Sequence, residues 1–307
     1  MTDATATPAP AARLRTYASF VRFEHTLFTL PLILAGVFSA PGPALSLGRW
    51  LLVAVAAVGA RTTAMSLNRI IDRRLDALNP RTRARELPSG RMSFAEAWGL
   101  LAAAVAAYLA ACWVLDPAGL LYLKLAPIPI IVFTAYPYTK RFTPFCHLGV
   151  GAGMCLAPLA GYAAAHPDLA HPWGAVWLAA FTLCWGSGFD IIYSTLDEES
   201  DRAHGVHSMV VWLGRERALG VSSWLHRAAE LCLIPAIARV MESVGQPLPS
   251  LPAFAAFAVW AGVVGLLHLE QKWAEDVNLA FFKVNVWVSA VVLVLVLVVR
   301  AMSRGGF

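Results

Sequence analysis

Apolar residues in this 307-residue chain come in long blocks, with no period-two alternation of apolar and polar positions that would mark strands. About nine blocks of roughly 18 to 25 residues are long enough, as helices, to cross a hydrocarbon core of ~30 Å. They run from Tyr17 to Ser39, Trp50 to Arg73, Phe94 to Val114, Gly119 to Tyr136, Phe145 to Ala164, Trp173 to Leu196, Arg217 to Val240, Leu251 to Leu269 and Asn278 to Val299. Helices satisfy their own backbone in lipid, so the pattern predicts an all-α polytopic membrane bundle of about nine transmembrane helices around a central cavity facing the cytoplasm. The longest loops, near Asp72 to Ser93 and Asp197 to Arg217, are too short for a soluble domain. One membrane domain is therefore expected over residues 15–302, between a disordered Ala/Pro/Thr-rich arm (residues 1–14) and a short tail (residues 303–307).

Composition agrees: 58% of residues are hydrophobic and 14% charged, too little polar surface for a soluble globule of this size. The net charge of +5 does not point to nucleic acid, because the basic residues alternate between loops instead of forming one stripe. Arg13, Arg15, Arg73, Arg74, Arg81, Arg83, Arg85, Arg91, Lys140, Arg141, Arg202, Arg215, Arg217 and Lys272 fall in the N-terminal arm and the loops after even-numbered spans, against a few such as Arg49 and Arg239 elsewhere. By the positive-inside rule the first set is cytoplasmic, giving an inside N-terminus and an outside C-terminus. The five cysteines include no C-x-x-C pair and sit in apolar segments, as buried thiols do. Gly149, Gly151 and Gly153 spell a phosphate loop only as a string, since they lie inside an apolar span, where glycines serve close helix packing.

Against this background two acidic clusters stand out, N-R-I-I-D-R-R-L-D from Asn68 to Asp76 and D-I-I-Y-S-T-L-D-E-E-S-D from Asp190 to Asp201. Carboxylates at membrane depth are costly and mark functional sites. A four-residue step on a helix turns ~400°, so Asn68, Asp72 and Asp76 share one stripe. Read as a continuing helix, the second cluster puts Asp197 and Asp201 within about 20° of Asp190, with Tyr193 on the same edge. Four carboxylates converging to ~6 Å would repel by about 2.8 kcal/mol per pair at an effective dielectric near 20, so the site needs cations. An all-oxygen donor set without His or Cys suits Mg²⁺ and disfavours zinc. Beside the carboxylates lie N-P-R-T-R-A-R-E-L-P-S-G from Asn79 and Y-P-Y-T-K-R from Tyr136, whose Arg81, Arg85, Lys140 and Arg141 suit the oxygens of a diphosphate.

At these residues the chain resembles the UbiA superfamily of intramembrane prenyltransferases, whose motifs are N-D-x-x-D-x-x-x-D and D-x-x-Y-x-x-x-D-x-x-x-D. The departure is Arg69 in place of the first Asp; at ~100° from the stripe it is expected to leave the ligand set intact. V-R-F-E-H-T-L-F-T-L-P near the start and F-F-K-V-N in the last span look like the bacterial 4-hydroxybenzoate polyprenyltransferase-like branch that serves quinone synthesis. The resemblance implies transfer of a polyprenyl group from polyprenyl diphosphate to a small aromatic acceptor. It makes Asn68, Asp72, Asp76, Asp197 and Asp201 the holders of Mg²⁺ on the diphosphate. Arg81, Arg85, Lys140 and Arg141 would neutralise its oxygens, Asp190 and Tyr193 would lie near the acceptor, and Arg22 would receive a benzoate carboxylate. His25 and His147 are candidate bases or interfacial hydrogen-bonders. Other acceptors of the superfamily, a naphthoate, haem, a chlorophyllide-like macrocycle or glycerol phosphate, stay open. An ion-coupled carrier would also place carboxylates in broken helices, but has no need of the arginine loop.

Overall fold

The computed structural model describes residues 10–22, 26–42, 44–243, 245, 251–274 and 283–304, and every regular element among them is helical. The helices are α1 (Pro10–Phe20), α2 (Thr26–Phe38), α3 (Leu47–Leu78), α4 (Phe94–Leu115), α5 (Leu121–Leu125), α6 (Pro127–Thr139), α7 (Cys146–Ala165), α8 (Trp173–Ser194), α9 (Glu198–Ala203), α10 (Met209–Leu213), α11 (Arg215–Ser243), α12 (Leu251–Lys272) and α13 (Asn285–Arg304). Of the arm expected over residues 1–14, residues 1–9 lie outside the described set, and the chain is helical from Pro10. His25 also lies outside it.

Local signals explain the ends. Ser46 caps α3 by accepting from the Arg49 N–H, and Ser93 with Glu96 forms a reciprocal capping box on α4. Pro127 sits at the first position of α6, where its missing N–H is no loss, so α5 and α6 together carry the fourth expected span.

Six helical stretches among the described residues are long and apolar enough to cross a membrane: Leu47–Leu78, Phe94–Leu115, Leu121–Thr139, Cys146–Ala165, Trp173–Ser194 and Ala253–Lys272. Thr29–Phe38 and Asn285–Ala301 are shorter apolar helices. The seventh expected span, now within α11, carries Arg227, Glu230 and Arg239, and these dilute its apolar run below that standard. A further difference concerns the first expected span, Tyr17 to Ser39. It is two helices, because the chain leaves α1 through a turn at Val21 and Arg22, whose φ is 48°.

The core lies around α8, most of whose apolar length is buried, and which packs chiefly on α7 and α11. Close approach to α7 requires Gly151: a methyl there would overlap Ser187 Oγ and the Leu183 carbonyl. The glycine run is thus a packing surface, as its place in an apolar span implied. α1 docks onto the loop after α3 through Ser19 Oγ to Glu86 (2.7 Å) and onto the first turn of α4 through the Arg13–Glu96 ion pair (2.7 Å). That loop carries Arg81 and Arg85, so α1 helps hold the site's basic wall.

Candidate active site

Both acidic clusters open into one cavity of about 280 Å³ at the end of the bundle where α3 and α8 finish. Asn68, Asp72 and Asp76 enter it from α3, Asp190 and Tyr193 from the last turns of α8, Asp197 and Asp201 from the start of α9. Arg81 and Arg85 come from the loop after α3, and Lys140 from the turn between α6 and α7. Of the residues singled out in the sequence, Arg22 and Arg141 do not line the cavity. Arg141 borders it through Asp72, whereas Arg22 is exposed at the break after α1.

The α3 stripe is as the helical spacing requires, because the helix is unbroken to Leu78. The second cluster reaches the cavity by another route. α8 ends at Ser194, and Asp197 (φ −107°, ψ 0°) caps the start of α9, so Asp190, Asp197 and Asp201 do not share one helical face. Ser194 and Thr195 turn their hydroxyls back to the carbonyls of Ile191 and Ile192, each at 2.7 Å, where the helix stops.

Every carboxylate of the α3 stripe is engaged by a base. Asp72 accepts from Lys140 Nζ (2.6 Å), Arg141 Nη1 (3.2 Å) and Asn68 Nδ2 (3.1 Å). Asp76 Oδ1 accepts from Arg85 Nη1 (2.7 Å). Across the cavity Arg81 grips Asp197 with both arms of its guanidinium, Nε to Oδ1 at 2.8 Å and Nη2 to Oδ2, and its Nη1 donates to Tyr193 OH (2.8 Å). Asn79, overlooked in the sequence, completes this corner: its Nδ2 donates to Asp197 Oδ1 (2.6 Å) and its Oδ1 accepts the Arg81 N–H (2.9 Å). Its signal was an Asn before Pro80 at the end of α3, a residue type that stops helices by bonding locally. Burial alone would lower the Arg81 pKa, but the hydrogen bond to Asp197, with Tyr193 and Asp76 nearby, carries it above its ordinary value.

Arg69 reaches further than its position on the helix indicates. It is 4% exposed, yet its long side chain brings Nη1 within 3.9 Å of Asp76 Oδ2, and its Nε donates to the Phe20 carbonyl (3.4 Å). Backbone phase alone placed it off the stripe; the guanidinium's reach brings its charge back beside it.

His147 is buried on α7 with Nδ1 2.7 Å from Asp190 Oδ2, while its Nε2 accepts the Met209 N–H (3.2 Å). Burial, and next the adjacent Asp197, push the Asp201 carboxyl up to about 6 against the pull of Lys140 and Ser208.

The donor set fits a hard divalent cation. Asp72, Asp76, Asp190, Asp197 and Asp201 line the cavity beside Arg81, Arg85 and Lys140, and Arg141 and Arg69 reach Asp72 and Asp76 from its border. Asp76 Oδ2 is buried without a hydrogen-bond partner, the Arg69 Nη1 standing off at 3.9 Å, so its lone pairs are open to a ligated cation. No three His, Cys, Asp or Glu side chains among the described residues are gathered to hold an ion by themselves. Mg²⁺ asks for no such cage, since it keeps waters and uses one or two carboxylates plus substrate phosphate.

A membrane-embedded bundle that gathers carboxylates, guanidiniums and an ammonium at one end of its spans is equipped to handle a lipid-borne anion. The chain belongs to the UbiA prenyltransferase family, whose model matches residues 29–288, and it is a prenyltransferase. It is similar to the 4-hydroxybenzoate octaprenyltransferase of Shewanella denitrificans, 31% identical over 209 residues that cover 66% of this chain and 69% of that one. The enzyme of the same name from Shewanella halifaxensis is 29% identical over 254 residues, 81% of this chain and 85% of that one. Among solved structures, the apo UbiA homologue from Aeropyrum pernix K1 superposes with a TM-score of 0.77 at 32% identity, covering 90% of this chain and 98% of that one. A UbiA homologue from Archaeoglobus fulgidus bound to GPP and Mg²⁺ superposes at 0.68 and 17% identity over 94% of this chain and 99% of that one, which shows the shared fold.

Proposed function

We propose that this prenyltransferase moves a polyprenyl group from polyprenyl diphosphate to 4-hydroxybenzoate or a related quinone precursor, in an Mg²⁺-dependent reaction on the cytoplasmic side of a bacterial inner membrane. The observation that carries the reading is that both motif clusters and the basic residues of two loops line one cavity at the end of membrane-spanning helices. The 4-hydroxybenzoate octaprenyltransferases named above support the choice of acceptor. A naphthoate acceptor would use the same chemistry.

In this reading Asn68, Asp72, Asp76, Asp197 and Asp201 would hold the metal, whose chemistry is Lewis-acid neutralisation of charge growing on the leaving diphosphate. Arg81, Arg85, Lys140 and Arg141 bind the diphosphate oxygens. Because that charge grows as the prenyl C–O bond breaks, bases already in position stabilise the transition state more than the ground state. The bond's electron pair leaves with the diphosphate. The prenyl carbon then bonds to the ring carbon beside the ionised hydroxyl, the proton on that carbon passes to the departed diphosphate as the aromatic ring is restored, and the oxygen recovers its proton from Asp190. Asp190 takes the phenol proton, which raises the electron density of the ring, and Tyr193 orients the ring. The apolar walls keep water from the allylic cation. Purified protein assayed with labelled polyprenyl diphosphate and a panel of aromatic acceptors tests this; release of diphosphate with no acceptor prenylated would refute it.

Two further expectations follow. Arg22, as the ligand of a benzoate carboxylate, offers a planar two-pronged contact that Lys cannot reproduce. Arg22→Lys should raise the KM for 4-hydroxybenzoate by about tenfold with little change in that for prenyl diphosphate. An unchanged acceptor KM would remove Arg22 from the acceptor site. For orientation, Ser89 on the loop after α3 and Ala203 at the end of α9 are both exposed beside the cavity. Single cysteines placed there, in a background lacking the native five, should react with impermeant reagent only from the cytoplasmic side. Periplasmic labelling of either would overturn the orientation.

A further inference from the structure

His147 stands between three elements. It belongs to the first turn of α7, its Nδ1 lies 2.7 Å from Asp190 Oδ2 on α8, and its Nε2 accepts the backbone N–H of Met209 (3.2 Å), the first residue of α10. The side chain is 4% exposed, so these two contacts are not shared with bulk water. A backbone N–H only donates. Nε2 must therefore present its lone pair, and the imidazole is neutral with its proton on Nδ1. That proton is donated to Asp190, whose other oxygen is left for the cavity it lines.

The Met209 end is fixed as firmly. First-turn amides of a helix need acceptors from outside the helix, and Met209 finds His147. The segment before it is tied down too: the Val206 N–H bonds to the Asp201 carbonyl (2.9 Å) and the His207 N–H to the Lys140 carbonyl (2.7 Å). The tautomer is thus imposed by the backbone at the start of α10, which follows the helix that presents Asp197 and Asp201.

We propose that His147 is a positioning residue for acceptor activation: locked in the Nδ1–H tautomer by Met209, it holds one oxygen of Asp190 so that the other meets the phenol hydroxyl of the acceptor. This rests on the reading that an aromatic acceptor surrenders a phenol proton at Asp190. His147 touches neither substrate; it fixes the direction of the group that does. A carboxylate left without this donor would rotate freely at the cavity wall, and misalignment of a proton acceptor is costly to rate.

The test compares His147→Leu, which removes donor and acceptor, with His147→Gln, which keeps one of each. With 4-hydroxybenzoate, His147→Leu should lower kcat by about 10²-fold while leaving the KM for prenyl diphosphate unchanged. The deficit should shrink with ring-fluorinated acceptors, whose phenols ionise without help, and His147→Gln should recover on the order of tenfold of the loss. Wild-type turnover in His147→Leu, or a deficit equal for every acceptor, would overturn the proposal. Nitrogen-15 histidine spectra of the detergent-purified wild type, with the His147 signals identified by their loss in His147→Gln, read the tautomer directly. A protonated Nδ1 with a bare Nε2 supports the proposal, and a protonated Nε2 overturns it even if His147→Leu fails to fold. If the wild type prenylates no phenol at all, the acceptor reading fails, and the spectra still decide whether the backbone lock exists.

Discussion

Asp72→Asn and Asp197→Asn should each reduce prenyl transfer by at least about 10³-fold while leaving the bundle folded in detergent. On the proposed reading both aspartates sit where charge changes during the reaction, and both are ion-paired to bases. Asp72 is 1% exposed and the Asp197 side chain 15%, so both carboxylates act in surroundings less polarisable than bulk water. Loss of the Asp72 charge leaves Lys140 and Arg141 without their partner, yet their side chains are 29% and 34% exposed and can turn to water. Asp197 likewise releases Arg81, 27% exposed. The fold should therefore tolerate the changes that the chemistry does not. Activity with labelled polyprenyl diphosphate at saturating Mg²⁺, beside a thermal unfolding scan, separates the two effects. Turnover near that of the wild type in either variant, with chelator controls showing metal dependence, would remove that residue from the metal site.

The helical stripe of Asn68, Asp72 and Asp76 was legible because α3 runs without interruption, and on an unbroken helix spacing alone fixes direction. The same arithmetic applied from Asp190 to Asp201 led to the right cavity by the wrong path. Nothing between them is Gly or Pro, and the break at Ser194 comes from hydroxyls that bond their own turn and from Asp197 opening a new short helix. Such local competition leaves only a faint mark in sequence, since Ser and Thr also occur inside helices. The reach of Arg69 was illegible for a different reason. Periodicity locates a Cβ, whereas a guanidinium several bonds away swings across neighbouring stripes, here to within 3.9 Å of Asp76. The left-handed turn at Arg22 that divides the first apolar block carries no glycine to announce it. The pairing of His147 with Asp190 joins residues 43 apart on separate helices, and no spacing rule within one helix reports it.

Mg²⁺ and diphosphate should bind this protein cooperatively, each raising the affinity for the other by about tenfold or more. The ion pairs in the cavity give the reason. Without ligands, Lys140 and Arg141 neutralise Asp72, Arg85 neutralises Asp76, and Arg81 neutralises Asp197. A diphosphate arriving alone must draw those bases from their carboxylates, and buried charges stripped of partners cost several kcal/mol each. A cation arriving alone meets carboxylates already paired with positive groups. When both arrive, the carboxylates turn to the cation and the bases to the phosphates, so every charge keeps a partner and neither penalty arises. Titration calorimetry with pyrophosphate, corrected for the Mg²⁺–pyrophosphate complex that forms in solution, should show the affinity rising with free Mg²⁺. By linkage, Mg²⁺ affinity should rise by the same factor with pyrophosphate. Arg81→Ala should weaken this coupling, because its guanidinium is one of the groups exchanged, and it should let Mg²⁺ bind more readily on its own. Equal pyrophosphate affinity with and without Mg²⁺ would mean that the bases are free to serve the phosphates from the outset, and that the pairs seen in the cavity are not what the substrate must open.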